Sequence, residues 1–157
     1  MIIKPHHFMD IIKLYGAGVE VFVPAPDYGH DFYRIANEMI GNHNVSVTLT
    51  TGADDICGPC IHLGGDGAGN GTCQDSISHI KGITSKDQYN KLLDTRIMEE
   101  LGLCTDALYT AAELCRIMGA KPGLVQAVWR EEAEEHEEAA WKRACLFAAG
   151  VKKYLCG

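Results

Sequence analysis

The chain has 157 residues, 46% of them hydrophobic and 22% charged, which suits one globular domain spanning 1–157 and excludes disorder throughout. No window approaches the ~20 uninterrupted apolar residues of a membrane span, and the opening MIIKPHHFMD has no apolar stretch of signal-peptide length, so a cytoplasmic protein is expected, with no membrane partner. A net charge of −7 argues against the basic face that nucleic acid requires, although six carboxylates of that excess sit in EEAEEHEE, residues 131–138.

In chain order, Met1–Tyr15 reads as a helix. Phe8, Ile11, Ile12 and Tyr15 share one face, and Pro5 suits a first turn. Val19–Val23 predicts a short strand stopped by Pro24 and Pro26. Asp31–Asn42 predicts a helix with Phe32, Ile35, Ala36, Met39 and Ile40 inward. Val45–Thr51 alternates and is β-branched, the clearest strand of the chain. Residues 52–75 show no periodicity and hold Cys57, Cys60, Cys73 and, from Gly58 to Gly71, six glycines. A loop this long is uncommon unless function or a covalent or metal tie holds it. Helices are predicted from Ser85 or Asp87 to Glu100, from Thr105 to Met118, and from Pro122 to about Leu155. Trp129 and Trp141 flank the acidic stretch of that last helix and suit docking on the body or on a second copy. The fold expected is α+β and α-rich: a single compact domain with a small β element around a Cys/Gly-rich metal-binding loop.

The chain carries seven cysteines, an odd number that cannot all pair, and a reducing compartment favours metal binding or catalysis over disulfides. Cys57-Gly-Pro-Cys60 followed by Cys73 reads C-x2-C-x12-C. Two cysteines at this spacing can turn both sulfurs toward one point, the reason zinc and iron–sulfur sites both use it. A thioredoxin-like pair would sit between a strand and a helix, whereas a glycine-rich loop follows here. Zinc needs a fourth ligand, for which His79 or His62 are candidates, giving a Cys3His set. His6 and His7 are the second feature. Adjacent helical histidines point about 100° apart, so one exposed and one satisfied is the plain expectation; beside thiolates, with Lys4, they would form a substrate wall with acid–base capacity. Gly64–Gly71 lacks the phosphate-loop ending and reads as slack. Cys104, Cys115, Cys145 and Cys156 are expected as core packing, and Glu132 with His136 as a solvated face.

His6-His7-Phe-Met-Asp10, Asp54-Asp55-Ile56-Cys57-x-x-Cys60, Cys73 and Leu101-Gly102-Leu103 together resemble the domain of unknown function 1284 family, short prokaryotic proteins that open with His-His-Leu-Leu-Cys. The resemblance covers roughly the first two-thirds of the chain. It implies an iron–sulfur cluster, [4Fe–4S] before [2Fe–2S], on Cys57, Cys60 and Cys73. Where the family has its first cysteine this chain has Asp10, which becomes the candidate fourth ligand unless the position is open.

The function expected is an iron–sulfur protein, an enzyme if an open iron faces a small polar substrate, with His6 and His7 as the catalytic candidates. The alternatives are a zinc-stapled binding module and an electron-transfer or redox-sensing protein with a redox partner. A homo-oligomer is compatible with each.

Overall fold

The structure, a computed structural model, describes residues 1–64 and 71–157. It is helix-rich with a small sheet, as expected: an α-rich α+β fold. Strand β1 (Ile2–Ile3) leads directly into helix α1 (Pro5–Gly16), whose first position is Pro5. Helix α2 (Phe32–Gly41) and strand β2 (Ser46–Leu49) follow close to their predicted positions. The cysteine loop contains a short hairpin, β3 (Leu63–Gly64) and β4 (Thr72–Cys73). Helix α3 (Lys86–Leu101) starts on Ser85, whose side chain accepts from the Gln88 amide. Then come β5 (Leu108–Thr110), α4 (Ala111–Gly119), α5 (Leu124–Val128), α6 (Arg130–Glu135) and α7 (Glu137–Cys156). β2 pairs parallel with β1 and antiparallel with β5, Val47 opposite Tyr109.

Three expectations change. Val19–Val23 alternates like a strand, with Val21 and Val23 exposed around buried Phe22. Its backbone partner is not a strand, however. The Asn37 side chain of α2 accepts from the Phe22 amide at 2.9 Å and donates to the Phe22 carbonyl at 3.0 Å. The helix predicted from Thr105 begins only at Ala111. Thr110 caps it through a reciprocal pair with Glu113, which leaves Leu108–Thr110 to pair with β2. The long helix predicted over 122–155 breaks at Trp129 and at His136, whose backbones leave the helical region. At the first break the Arg96 guanidinium takes the freed Val128 carbonyl and the Glu131 carboxylate. At the second the His136 ring donates to the His79 carbonyl at 2.7 Å. Both partners come from other parts of the chain, so spacing alone cannot reveal either break. No helix among the described residues is long and apolar enough to cross a membrane.

One apolar core gathers Ile3, Phe8, Ile11, Ile12, Ile35, Met39, Val47, Ile97, Leu114 and Met118. Tyr154 is also fully buried there, its hydroxyl donating to the Met39 carbonyl at 2.7 Å. The most extensive helix pairing is α1 with α7. Two glycines permit it. A Cβ on Gly150 would lie 1.9 Å from the Ile12 carbonyl oxygen, and one on Gly16 would lie 2.1 Å from the Leu146 carbonyl oxygen. Both obstacles are backbone, so neither side can yield locally. Gly150→Ala should therefore cost at least the ~1–3 kcal/mol typical of overpacking. Gly41→Ala, at a helical position where a Cβ meets nothing within 4 Å, should be neutral or stabilising. Chemical denaturation of the two variants checks this; equal midpoints would contradict a backbone-to-backbone crossing.

Candidate metal centre

The site is organised by one carboxylate. Asp54 follows β2 and is almost fully buried. Its Oδ2 accepts from the Lys4 amide at 2.7 Å and from His7 Nδ1 at 2.8 Å. Its Oδ1 accepts from the Ile56 amide at 3.1 Å and the Cys57 amide at 3.0 Å. The last two bonds form the turn that aspartate favours two and three residues ahead of itself. The neighbouring Asp55 accepts from the Ile2 amide and donates its own amide to the Ile2 carbonyl. The two aspartates thus bind the start of α1 to the start of the cysteine loop.

The charges around this carboxylate follow from burial and proximity. Burial opposes ionisation of Asp54, but the His7 bond and the backbone amides outweigh it and hold the group well below the usual carboxylate range. Burial also opposes the Lys4 ammonium, and Cys57, Asp54 and Asp94 together outweigh it, so Lys4 stays charged. Lys4 Nζ donates to Cys57 Sγ at 3.5 Å. Burial first, and Asp54 next, push the Cys57 thiol up to about 12. A thiol in that state is a poor nucleophile near neutral pH, whereas a bound cation would deprotonate it.

His6 and His7 do not divide into one exposed and one satisfied. Each is backed by its own aspartate. His6 Nδ1 and its amide both bond Asp94 Oδ1 at 2.8 Å, on α3, while His7 Nδ1 bonds Asp54. The rings lie 4.3 Å apart between centroids. Burial works against protonation of His6, but Asp94 prevails and raises its pKa. Burial and the adjacent His6 lower that of His7. A neutral His7 donates Nδ1–H to Asp54 and keeps Nε2 as a lone-pair donor. This is the usual arrangement of a metal-binding histidine with a carboxylate behind it.

The three cysteines of the motif line one cavity of about 130 Å³. The turn brings the Cys60 amide to the Cys57 carbonyl at 2.9 Å, and the hairpin sets Cys73 opposite Leu63. His7, His62, Tyr28 and His30 line the same cavity. Tyr28 and His30 were not expected from the sequence. The segment carrying them is pinned to the loop by the Asp31 amide on the Ile56 carbonyl and the Ile61 amide on the Tyr28 carbonyl. Among the described residues, the group of three ligand atoms within 4.8 Å of one another is His7, Asp54 and Cys57.

Asp10 and His79 are not brought to the thiols. Asp10 is engaged by Lys13 at 3.2 Å and Arg143 at 2.9 Å, which keep its carboxyl low against the effect of burial. His79 packs against Tyr89 and His136. Both line a second cavity that shares the His7 wall. Of the four cysteines expected in the core, Cys115 is buried, while Cys104, Cys145 and Cys156 are exposed. Glu132 is not a solvated residue but is buried against Arg143. Most of the glycine run, residues 65–70, lies outside the described residues. Comparisons with protein-family models, curated proteins and solved structures found no match for this chain.

Asp54→Asn would face one of four donors with another donor. It should cost more than about 3 kcal/mol, as expected for breaking charged hydrogen bonds in a buried position. The folded carboxyl titrates below the unfolded value of about 3.9, so its contribution is complete above that pH and drains away as the pH falls beneath it. The variant should therefore lose less stability than the parent between about pH 4 and pH 2. Parallel stability–pH curves in that range would refute the role given to Asp54.

Proposed function

We propose that the protein holds an iron–sulfur cluster on Cys57, Cys60 and Cys73 and uses the paired histidines for proton transfer on a small polar substrate. The observation that carries this reading is the sharing of one cavity by the three thiols of the motif. A tetrahedral zinc site with Zn–S near ~2.3 Å draws its sulfurs to about 3.8 Å of one another. These three sulfurs do not form a group within even 4.8 Å. A cavity of about 130 Å³ is also several times the roughly 10–15 Å³ that one water needs. The resemblance of the His6-His7 and Asp54–Cys60 segments to the domain of unknown function 1284 family points the same way. A reducing, cytoplasmic setting belongs to the same proposal.

When bound, such a cluster supplies a Lewis-acidic iron or an electron. The chain's own residues do the rest. Lys4 offers a buried positive charge and a hydrogen bond to the Cys57 sulfur. His7, neutral and oriented by Asp54, offers a base at Nε2, and His6, with its raised pKa, offers an acid. Asp10 does not line the thiol cavity, which leaves the fourth position open to substrate.

A second reading rests on the closeness of Cys57 to His7, which Asp54 backs, and suits a single zinc ion in a stapled binding module. Metal and sulfide content with a visible spectrum, on protein purified without oxygen, separates the two. The cluster predicts a brown protein with iron and acid-labile sulfide. Loss of metal is expected for Cys57→Ala, Cys60→Ala and Cys73→Ala, and retention for Cys104→Ala and Cys145→Ala. A colourless protein with one zinc per chain would overturn the cluster.

A further inference from the structure

The second cavity, about 300 Å³, lies against the thiol cavity and shares His7 and Lys86 with it. Its walls come from α1, α3 and the broken C-terminal helices: His6, Tyr89, Trp129 and Arg143 line it, with Asp10 and Glu132. Both carboxylates of this wall already hold cationic partners. Asp10 takes Lys13 and Arg143, and Glu132 takes the Arg143 fork with both oxygens. The donors are in surplus. These three bonds use three of the five guanidinium N–H groups of Arg143. Lys86 makes one ion pair, with Asp75 at 3.3 Å. Tyr89 is 5% exposed, and its hydroxyl is buried with no hydrogen-bond partner. Such an orphaned hydroxyl is costly in a folded protein unless something else satisfies it. Arg143 is held rigidly for the purpose, its guanidinium stacked 4.6 Å over Trp129.

We propose that this cavity is a binding chamber for a small organic acid, whose carboxylate accepts from Tyr89 and the remaining N–H groups of Arg143 beside the two histidines. The unmet donors of Tyr89 and Arg143 select an acceptor-rich ligand, and a carboxylate supplies two oxygens in the geometry that guanidinium favours. The rest of the molecule lies toward His6 and His7, each of which keeps one ring nitrogen unbonded. The inference rests on the proposed function only in placing that chemistry next to the thiols; the chamber itself needs no metal.

The test is titration of the full-length protein, metal-free and metal-loaded, with succinate, with succinamide as the uncharged control and inorganic phosphate as a second anion, read by calorimetry and by Trp129 fluorescence. Saturable succinate binding in both forms is expected, with no binding of succinamide. Tyr89→Phe removes one oxygen that has no partner in the free protein. It should leave the melting temperature unchanged or higher and weaken succinate by about tenfold, the loss of one charge-assisted hydrogen bond. Absence of saturable binding to either form would overturn the chamber. So would undiminished binding by Tyr89→Phe, or binding confined to metal-loaded protein, or phosphate binding as tight as succinate. Metal and sulfide content of the same samples reports separately on the cluster, so failure of one reading is not failure of the other.

Discussion

Four hydrogen bonds to the Asp54 carboxylate hold the site together. They join the first turn of α1 to the turn that carries Cys57, across some fifty residues of sequence. A buried carboxylate is unfavourable by itself, and its cost is offset only when its lone pairs are all used. Here they are, by three backbone amides and one imidazole. Lys4 then has a reason to be buried, because it lies between that negative charge and the Cys57 sulfur. His7 has a reason to be neutral and singly oriented. The thiol turn and the histidine pair are therefore one structural unit, although they look like separate motifs in the sequence.

His6 and His7 illustrate how one helix serves two cavities. Neighbouring residues on a helix diverge by about 100°, so adjacent rings cannot share one partner. The fold answers with two aspartates from different elements, one on the cysteine loop and one on α3. The consequence is a pair of imidazoles with opposite tendencies at a shared wall, one pushed toward the protonated form and one toward the neutral form. Pairs of groups driven apart in this way are how acid and base roles come to be divided in a single site.

Much of the local structure was legible. Pro5 at the head of α1, the Ser85 cap and the alternation of β2 are all short-range signals, and the spacing of Cys57 and Cys60 is as local as a turn. The misses share a cause. Apolar spacing extends a helix back to Thr105, but Thr-Ala-Ala-Glu over 110–113 is a capping box and dominates. The breaks at Trp129 and His136 depend on Arg96 and on the His79 carbonyl, which no window around the breaks contains. Val21–Val23 carries a strand's alternation without a strand partner, because Asn37 takes the Phe22 backbone instead. In the site, Asp54 sits in a readable position three residues before Cys57. Asp94, Tyr28 and His30 do not, since tertiary contacts alone bring them in. Asp10 falls where the resembling family has a cysteine, yet Arg143 arrives from the far end of the chain and claims it.

The tight crossing of α1 and α7 has a temporal meaning. The helix that carries His6 and His7 is synthesised well before the helix that covers it. The contacts that fix the site span the chain: Asp10 to Arg143, His6 to Asp94, Met39 to Tyr154. Contacts of such high sequence separation form only after their loop-closure entropy is met, which slows folding. The thiol cavity itself is walled by residues from His7 to Asn90, all made before α7, the helix that packs along α1. The pocket and its cover are therefore completed at different times, and the order of synthesis becomes part of how the site is assembled.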